Sequence, residues 1–318
     1  MNRIDHYTHQ PVLLKECIQG LSIKPDGAYV DCTLGRGGHS TAILGQLSEL
    51  GRLIAIDADP ILLTAEQQNL LHQLFSDARF SFSHDNFVNL SQVLSVHGLM
   101  GKIDGILLDL GVSSPQLDDA SRGFSFQRNG PLDMRMDTTR GVDAATWLRE
   151  VTENELVRVL RVFGEEPAAK RIAKAILTHR EQEPITTTRQ LSDLVSSVVR
   201  QGPSGKHPAT RSFQAIRIAV NDELRVLEQV LPQCVAALAP QGRLCVISFH
   251  SLEDRLVKQF IAQESAGVVD WLPGMRPPEH NKPATLRKIG QLIRASEDER
   301  VANPRARSAC LRIAEKQG

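Results

Sequence analysis

The chain has 318 residues, 41% of them hydrophobic and 23% charged, enough apolar material for one large domain or two of ordinary globular character. No apolar run approaches the roughly 20 residues that span a bilayer, and residues 1–9 carry neither an apolar core nor a small-residue cleavage site. A membrane protein and an exported one are therefore not expected, and the cytoplasm is the expected compartment. Lys plus Arg equals Asp plus Glu at 37 each, so any nucleic-acid surface must be local rather than chain-wide.

In chain order, residues 27–33 read as a short buried strand, followed by the glycine-rich turn Gly35-Arg-Gly-Gly-His-Ser40 and an apolar helix to about residue 50. A second strand over 51–57 ends in Asp57, and Pro60 is suited to the first turn of a helix. A third strand at 79–84, an amphipathic stretch with Phe87, Leu90, Val93 and Leu94, and a fourth strand at 103–109 continue the alternation. Strands alternating with helices imply a parallel sheet. The alternation stops after Asp109. Residues 110–140 are rich in Gly, Ser, Pro, Asp and Arg, too long for an ordinary connection. Three helices follow: one capped by Thr152 with Glu155, one with Ile172, Ala173, Ile176 and Leu177 inward, and one from near Thr187. A single helix carrying Phe213, Ile216, Leu224, Leu227 and Leu231 then leads into a strand at 243–248, and a terminal strand is expected at 309–314. The segment 267–303 has no readable pattern. The expected fold is thus α/β, with a doubly wound sheet from residues 1–118 and 208–318 and an inserted loop and all-α domain over 119–207.

The chemistry gathers at strand ends. Gly35, Gly37 and Gly38 let a ligand approach the backbone, and Asp57, 22 residues after Gly35, is placed to accept hydrogen bonds from ribose hydroxyls. A tight turn with a helix-capping acid is the plainer reading of the same residues. The turn lacks the full G-x-G-x-x-G that a pyrophosphate requires, and no hydride-transfer site follows, which favours a methyl donor over a dinucleotide. Asp109, followed by Leu-Gly-Val-Ser-Ser-Pro-Gln, partly resembles the loop with which amino-group methyltransferases hold an exocyclic amine, although no aromatic residue follows. Asp109, Ser113 and Ser114 are the candidate catalytic residues, as hydrogen-bond acceptors for the attacking amine; methyl transfer needs chiefly alignment and no strong base.

The clusters Pro131-Leu-Asp-Met-Arg-Met-Asp137, His207-Pro-Ala-Thr-Arg211 and Ser248-Phe-His-Ser-Leu-Glu-Asp-Arg255 are dense in polar groups. Asp133, Arg135, Arg211, His250 and Arg255 are candidates for substrate contact, the arginines for phosphates; internal ion pairs and caps are the competing reading. Residues 282–318 carry nine Lys/Arg against four acids, a local positive excess. The five cysteines, Cys17, Cys32, Cys234, Cys245 and Cys310, have no C-x-x-C spacing, so they are expected as reduced buried hydrophobes, and no metal is expected.

These motifs, with His9-Gln-Pro-Val-Leu-Leu-Lys-Glu16, Asp31-Cys-Thr-Leu-Gly-Arg-Gly-Gly-His-Ser40, Gly105-Ile-Leu-Leu-Asp-Leu-Gly-Val-Ser-Ser-Pro-Gln-Leu-Asp118, Arg122-Gly-Phe-Ser-Phe126 and Asn303-Pro-Arg-Ala-Arg-Ser308, closely resemble the bacterial RsmH (MraW) family of small-subunit ribosomal RNA cytosine-N4 methyltransferases over nearly the whole chain. The resemblance implies a class I methyltransferase domain interrupted by a helical insertion. It also implies transfer of methyl from S-adenosylmethionine to N4 of a cytidine in 16S rRNA near the decoding centre. Carried over residue by residue, the cofactor site falls on Gly37, Gly38, His39, Asp57, Phe87, Asp109 and Gln116. The implied partner is 16S rRNA or the small ribosomal subunit, with a homodimer as a further possibility. The rival readings are a methyltransferase acting on another nucleic acid or a small molecule, and a non-catalytic RNA-binding assembly factor; retention of Asp57 and Asp109 in context argues against the second.

Overall fold

The computed structural model describes residues 11–200, 205, 207–266 and 283–318. The first residues of the His9–Glu16 motif and 267–282, part of the stretch without a readable pattern, lie outside them. The chain packs as two compact units, one of residues 1–111 and 226–318 and one of 112–225.

Among the described residues of the first unit, seven strands form one sheet in the order β3-β2-β1-β4-β5-β7-β6. They are β1 Ala28–Asp31, β2 Arg52–Asp57, β3 Phe80–His84, β4 Ile103–Asp109, β5 Leu238–Ser248, β6 Leu286–Arg294 and β7 Cys310–Lys316. Strands β1 to β5 pair in parallel, and β7 runs antiparallel to both β5 and β6. This is the class I, Rossmann-like methyltransferase arrangement, its strand order reversing between β1 and β4.

Strand periodicity explains why the sheet is buried on both faces. Val30, Ile54, Ile106 and Val246 point to one side, where Leu90 and Leu94 of the Leu90–Val96 helix and Leu227, Val230 and Leu231 of the Glu223–Ala237 helix cover them. Tyr29, Leu53, Leu107 and Cys245 point to the other, against Cys17 and Leu21 of the Leu14–Leu21 helix and Ile43 and Leu44 of the Gly38–Leu44 helix. All five cysteines are buried thiols. The Leu14–Leu21 helix and β6 have no counterpart in the sequence-based expectation. β6 buries only its first residue, Leu286, completely and is broken by a register shift between Ile289 and Ile293, so its sequence shows no clean alternation.

The second unit has its own core, with Leu156, Leu160, Ile172, Ile176, Leu191, Val195, Phe213 and Ile216 at its centre. Its helices include Ala144–Glu150, Glu153–Val162, Ala169–Arg180, Thr188–Val198 and Thr210–Asn221. Thr152 caps the second by accepting from Glu155 N, and Thr187 with Gln190 forms a reciprocal box at the start of the fourth.

The single helix expected across 213–231 is two. Asp222 adopts a left-handed conformation (φ 52°) between Thr210–Asn221 and Glu223–Ala237, and Arg217 Nε and Nη2 reach across the break to Glu223 at 2.7 and 2.8 Å. Phe213 and Ile216 are buried in the helical core, whereas Leu227 and Leu231 are buried against the sheet. The two compact units change over at 111/112 and 225/226, and the insertion was expected over 119–207.

Gly105 sits where β4 crosses the Tyr29 ring: a Cβ there would meet Cε1 and Cδ1 at 2.7 and 2.8 Å and Leu21 Cδ2 at 3.0 Å. Tyr29 cannot turn aside, because it is buried and its hydroxyl accepts from Lys24 N at 2.7 Å. Gly105→Ala should cost about 1–3 kcal/mol by overpacking, read as a lower urea midpoint at unchanged slope.

Candidate active site

The carboxyl ends of β1, β2 and β4 bring Asp31, Asp57 and Asp109 to one edge of the sheet, where the strand order reverses. The chain splays apart there: Cys32 N donates to Leu107 O on one side and Leu34 N to Ile56 O on the other. Thr33 Oγ1 then accepts from Asp109 N at 2.8 Å.

The aspartates are satisfied to different degrees. Asp31, 1% exposed, accepts from Thr33 N (3.0 Å) and Ser40 Oγ (2.7 Å), which ties the glycine-rich turn to the strand on both sides. Asp57 accepts one backbone N–H on each oxygen, from Gly35 at 2.7 Å and Asp59 at 2.9 Å. Burial nevertheless pushes its carboxyl up to about 6, against the lowering effect of those two bonds. The Oδ1 of Asp109 is buried without a hydrogen-bond partner among the described residues. Its pKa is raised well above the usual carboxylate range, first by burial and then by the negative charges of Asp31 and Glu253.

The turn is packed tightly against its own chain. Gly37 has φ 70°, and a Cβ on Gly38 would stand 2.2 Å from Pro11 Cγ. His39 follows, buried, with Nε2 3.2 Å from Val12 O and Nδ1 3.6 Å from Asp109 Oδ2. Burial lowers its pKa, which favours the neutral ring. The Val12 carbonyl can only accept, so it fixes the proton on Nε2 and leaves the Nδ1 lone pair facing Asp109. A neutral His39 in that tautomer gives Asp109 no donor, which agrees with the raised carboxyl. Phe87 opens a short 3-10 turn, Phe87–Asn89, capped by Asn86, and packs half-buried against the sheet cluster that contains Leu90 and Leu94.

The first unit therefore gathers Gly37, Gly38, His39, Asp57 and Asp109 along one sheet edge, with Phe87 shortly after the neighbouring β3. His250 and Arg255 belong to the same unit but follow β5. The His250 ring lies 3.2 Å from Glu253 Oε1, and buried Glu253 accepts from Phe249 N and His250 N at the start of the Ser251–Ala266 helix, so this cluster builds a helix start. Arg255 is exposed on that helix.

In the second unit, Ser113 and Gln116 form a capping box on the helix Ser114–Asp118, with Ser113 N donating to Gln116 Oε1 at 2.8 Å; Ser114 is buried. Asp133 and Arg135, expected at the substrate, hold each other in a two-pronged pair (Nε–Oδ1 2.9 Å, Nη2–Oδ2 2.8 Å). Arg122 Nη2 donates to Arg135 O and Met136 O, while Asn221 brackets Met134 O and Met136 N at 2.7 Å each. The 131–137 motif is thus an internal network, and the Arg135 guanidinium is engaged by Asp133. Arg211 is exposed in the first turn of Thr210–Asn221. His207 stacks on Phe126 at 4.5 Å between centroids.

Asp31 and Ser40, which hold the turn, were not among the sequence-derived candidates. The available signal was an acid closing a buried strand with a hydroxyl nine residues on, in the first turn of the next helix.

The strand order together with an acidic strand-end site behind a glycine turn defines a class I methyltransferase. A family model described as the MraW methylase family matches residues 6–317. The chain is 53% identical over 309 residues to Ribosomal RNA small subunit methyltransferase H of Coxiella burnetii (strain Dugway 5J108-111), covering 97% of this chain and 98% of that one. The protein of the same name from strain RSA 493 / Nine Mile phase I gives the same figures. Among solved structures, an rRNA methylase from Streptococcus thermophilus aligns over 96% of this chain and 93% of that chain at 12% identity and a TM-score of 0.39. The chain belongs to the MraW methylase family. Its cofactor is S-adenosylmethionine, the methyl donor of class I methyltransferases. No helix among the described residues is long and apolar enough to cross a membrane.

The raised Asp109 carboxyl has a consequence for stability. Its folded pKa lies above the unfolded value of about 3.9, so its contribution is intact below about pH 4 and is lost as pH rises toward the folded value. Asp109→Asn cannot ionise. Without cofactor it should match the wild type at about pH 4 and exceed it in urea midpoint by a margin that grows toward neutral pH.

Proposed function

We propose that the chain transfers the methyl group of S-adenosylmethionine to N4 of a cytidine in 16S rRNA near the decoding centre, acting in the cytoplasm on the small ribosomal subunit or its RNA. The observation that carries this reading is the carboxyl-lined strand-end edge, where Asp109 Oδ1 is buried without a hydrogen-bond partner among the described residues. The family membership and the relatives' name support rRNA as the acceptor.

The residues present suit the cofactor. Gly35 leaves its backbone open, a Cβ there meeting only Thr33 O at 3.9 Å, while Gly37 and Gly38 fix the turn against Leu74 and Pro11; Asp57 retains lone pairs able to accept from ribose hydroxyls, Phe87 offers an apolar face for an adenine, and Asp109 Oδ1 suits a donor such as an ammonium group. When bound, the cofactor supplies an electrophilic methyl on a positively charged sulfur, which a cluster of carboxylates favours electrostatically. In the first unit, the carboxyl oxygens of Asp109 orient the exocyclic amine as acceptors; in the second, Gln116 holds the Ser113 loop by accepting from Ser113 N. As the N–C bond forms and the C–S bond breaks, the amine proton leaves to one of these acceptors or to water; no strong base is required. Arg211, exposed in the first turn of its helix, is available to phosphates, and Arg255 is exposed on the Ser251–Ala266 helix.

Methyl transfer from labelled S-adenosylmethionine to small subunits lacking the modification, with naked 16S rRNA in parallel and nucleoside analysis of the product, tests the reading. N4-methylcytidine is the expected product; no incorporation into either substrate with cofactor bound would favour another acceptor or a binding role. Asp109→Ala should fold and lose transfer by about 100-fold or more, and normal turnover would count against its role. Protonation turns one Asp57 oxygen from acceptor into donor and removes the charge that strengthens acceptance from hydroxyls, so cofactor affinity should fall as pH drops through about 6. Asp57→Asn should weaken binding at neutral pH by about tenfold or more and flatten that pH dependence, as isothermal titration would read.

A further inference from the structure

The Ala169–Arg180 helix contains no acidic residue. Ile172, Ala173 and Ile176 face the core of the second unit, which turns Lys170, Arg171 and Lys174 outward, and all three are exposed. They make no ion pair or side-chain hydrogen bond among the described residues. Their neighbours behave differently. In the same unit Arg149 pairs with Glu150 at 3.0 Å, Arg158 with Glu155 at 2.6 Å, Arg135 with Asp133 and Arg217 with Glu223. Of the two acids just before the helix, Glu165 is exposed, whereas Glu166 is buried and its Oε1 accepts from Ala168 N at 2.9 Å.

This arrangement is unfavourable for the isolated helix. Lys170 and Lys174 at i,i+4 spacing, and Arg171 and Lys174 at i,i+3, repel one another, and two of the three sit in the first turn, the positive end of the helix dipole. Their Cβ atoms are spaced by about 5–6 Å, the scale of successive phosphates along a nucleic-acid strand. A polyanion docked here relieves the repulsion.

We propose that the face formed by Lys170, Arg171 and Lys174 is an RNA-backbone contact that holds the rRNA substrate through its phosphates. This rests on the rRNA reading above. Contacts of this kind position without reading sequence, so the face contributes to affinity and leaves the choice of base to the catalytic site.

The test uses the full-length protein and the variant K170Q/R171Q/K174Q. Binding to transcribed 16S rRNA and to a mixed-sequence RNA of equal length is followed across a salt series, with cofactor affinity and methyl transfer measured alongside. Each lost phosphate contact lowers the slope of log K against log salt by about 0.7–0.9, so the triple variant should show a slope shallower by about 2. It should bind both RNAs about tenfold or more weakly at low salt, with cofactor affinity unchanged. The charge-conserving variant K170R/R171K/K174R should keep the wild-type slope, which separates charge from folding. Removal of the repulsion should also leave the triple variant's melting temperature at low salt equal to the wild type's or higher. A wild-type slope and affinity in the triple variant overturn the proposal while leaving methyl transfer to stand. Wild-type protein that binds RNA with the predicted dependence on these cations but methylates no rRNA sinks the functional reading and keeps the surface.

Discussion

The organisation of the first unit depends on three carboxylates crowded at the ends of adjacent parallel strands. Asp31, Asp57 and Asp109 close β1, β2 and β4, and parallel register makes their convergence unavoidable, since Asp31 lies level with Ala55 of β2 and Leu107 of β4, two residues before the ends of both neighbours. Like charges at such a place are costly unless each is given donors. The fold meets this cost unequally. Asp31 is fully engaged by Thr33 and Ser40, Asp57 receives two backbone N–H groups, and one oxygen of Asp109 receives nothing among the described residues. The gradient from satisfied to unsatisfied runs from Asp31, which shapes the turn, to Asp109, whose Oδ1 departs from the rule that buried polar atoms are paired.

Once Asp31 holds the turn, the segment before the Leu14–Leu21 helix closes around it. Pro11 fills the space that a side chain at position 38 would need, and the Val12 carbonyl selects the His39 tautomer. Leu13 takes a left-handed backbone (φ 54°) and donates its N–H to Glu299 Oε1 at 2.7 Å. The His39 ring is therefore set by a contact 27 residues earlier, and that segment is anchored by an acid 286 residues later. A site residue's protonation is in this sense a property of the closed unit rather than of the turn that carries it.

Much of this was legible in the sequence because burial on both faces writes itself as a continuous apolar run. β4, Ile-Asp-Gly-Ile-Leu-Leu-Asp, has the bounds its sequence suggests, and β2 and β3 begin one residue later than expected. The glycine turn and Asp57 follow from local chemistry alone. What stayed hidden was which partner each side chain takes in the fold. An arginine that pairs with the aspartate two residues before it looks, in one dimension, the same as an arginine awaiting phosphate, and Arg135 is held by Asp133. Glu253 resembles a site acid until its capping of Phe249 and His250 is seen. The break at Asp222 was invisible because hydrophobic spacing continues through it while the buried partners change from helices to sheet.

The same distinction governs where affinity for a polyanion can come from. Charge density in a sequence is a poor guide, since the dense 131–137 cluster is consumed by Asp133, Arg122 and Asn221 in holding the helical unit together. The charges that remain are those the fold declines to neutralise. A helix that keeps three cations on its outer face, two of them at the end where positive charge is least favoured, bears an electrostatic cost that no ion pair among the described residues offsets. In a chain whose total charge balances, binding to RNA is then a question of which cations were left without acids.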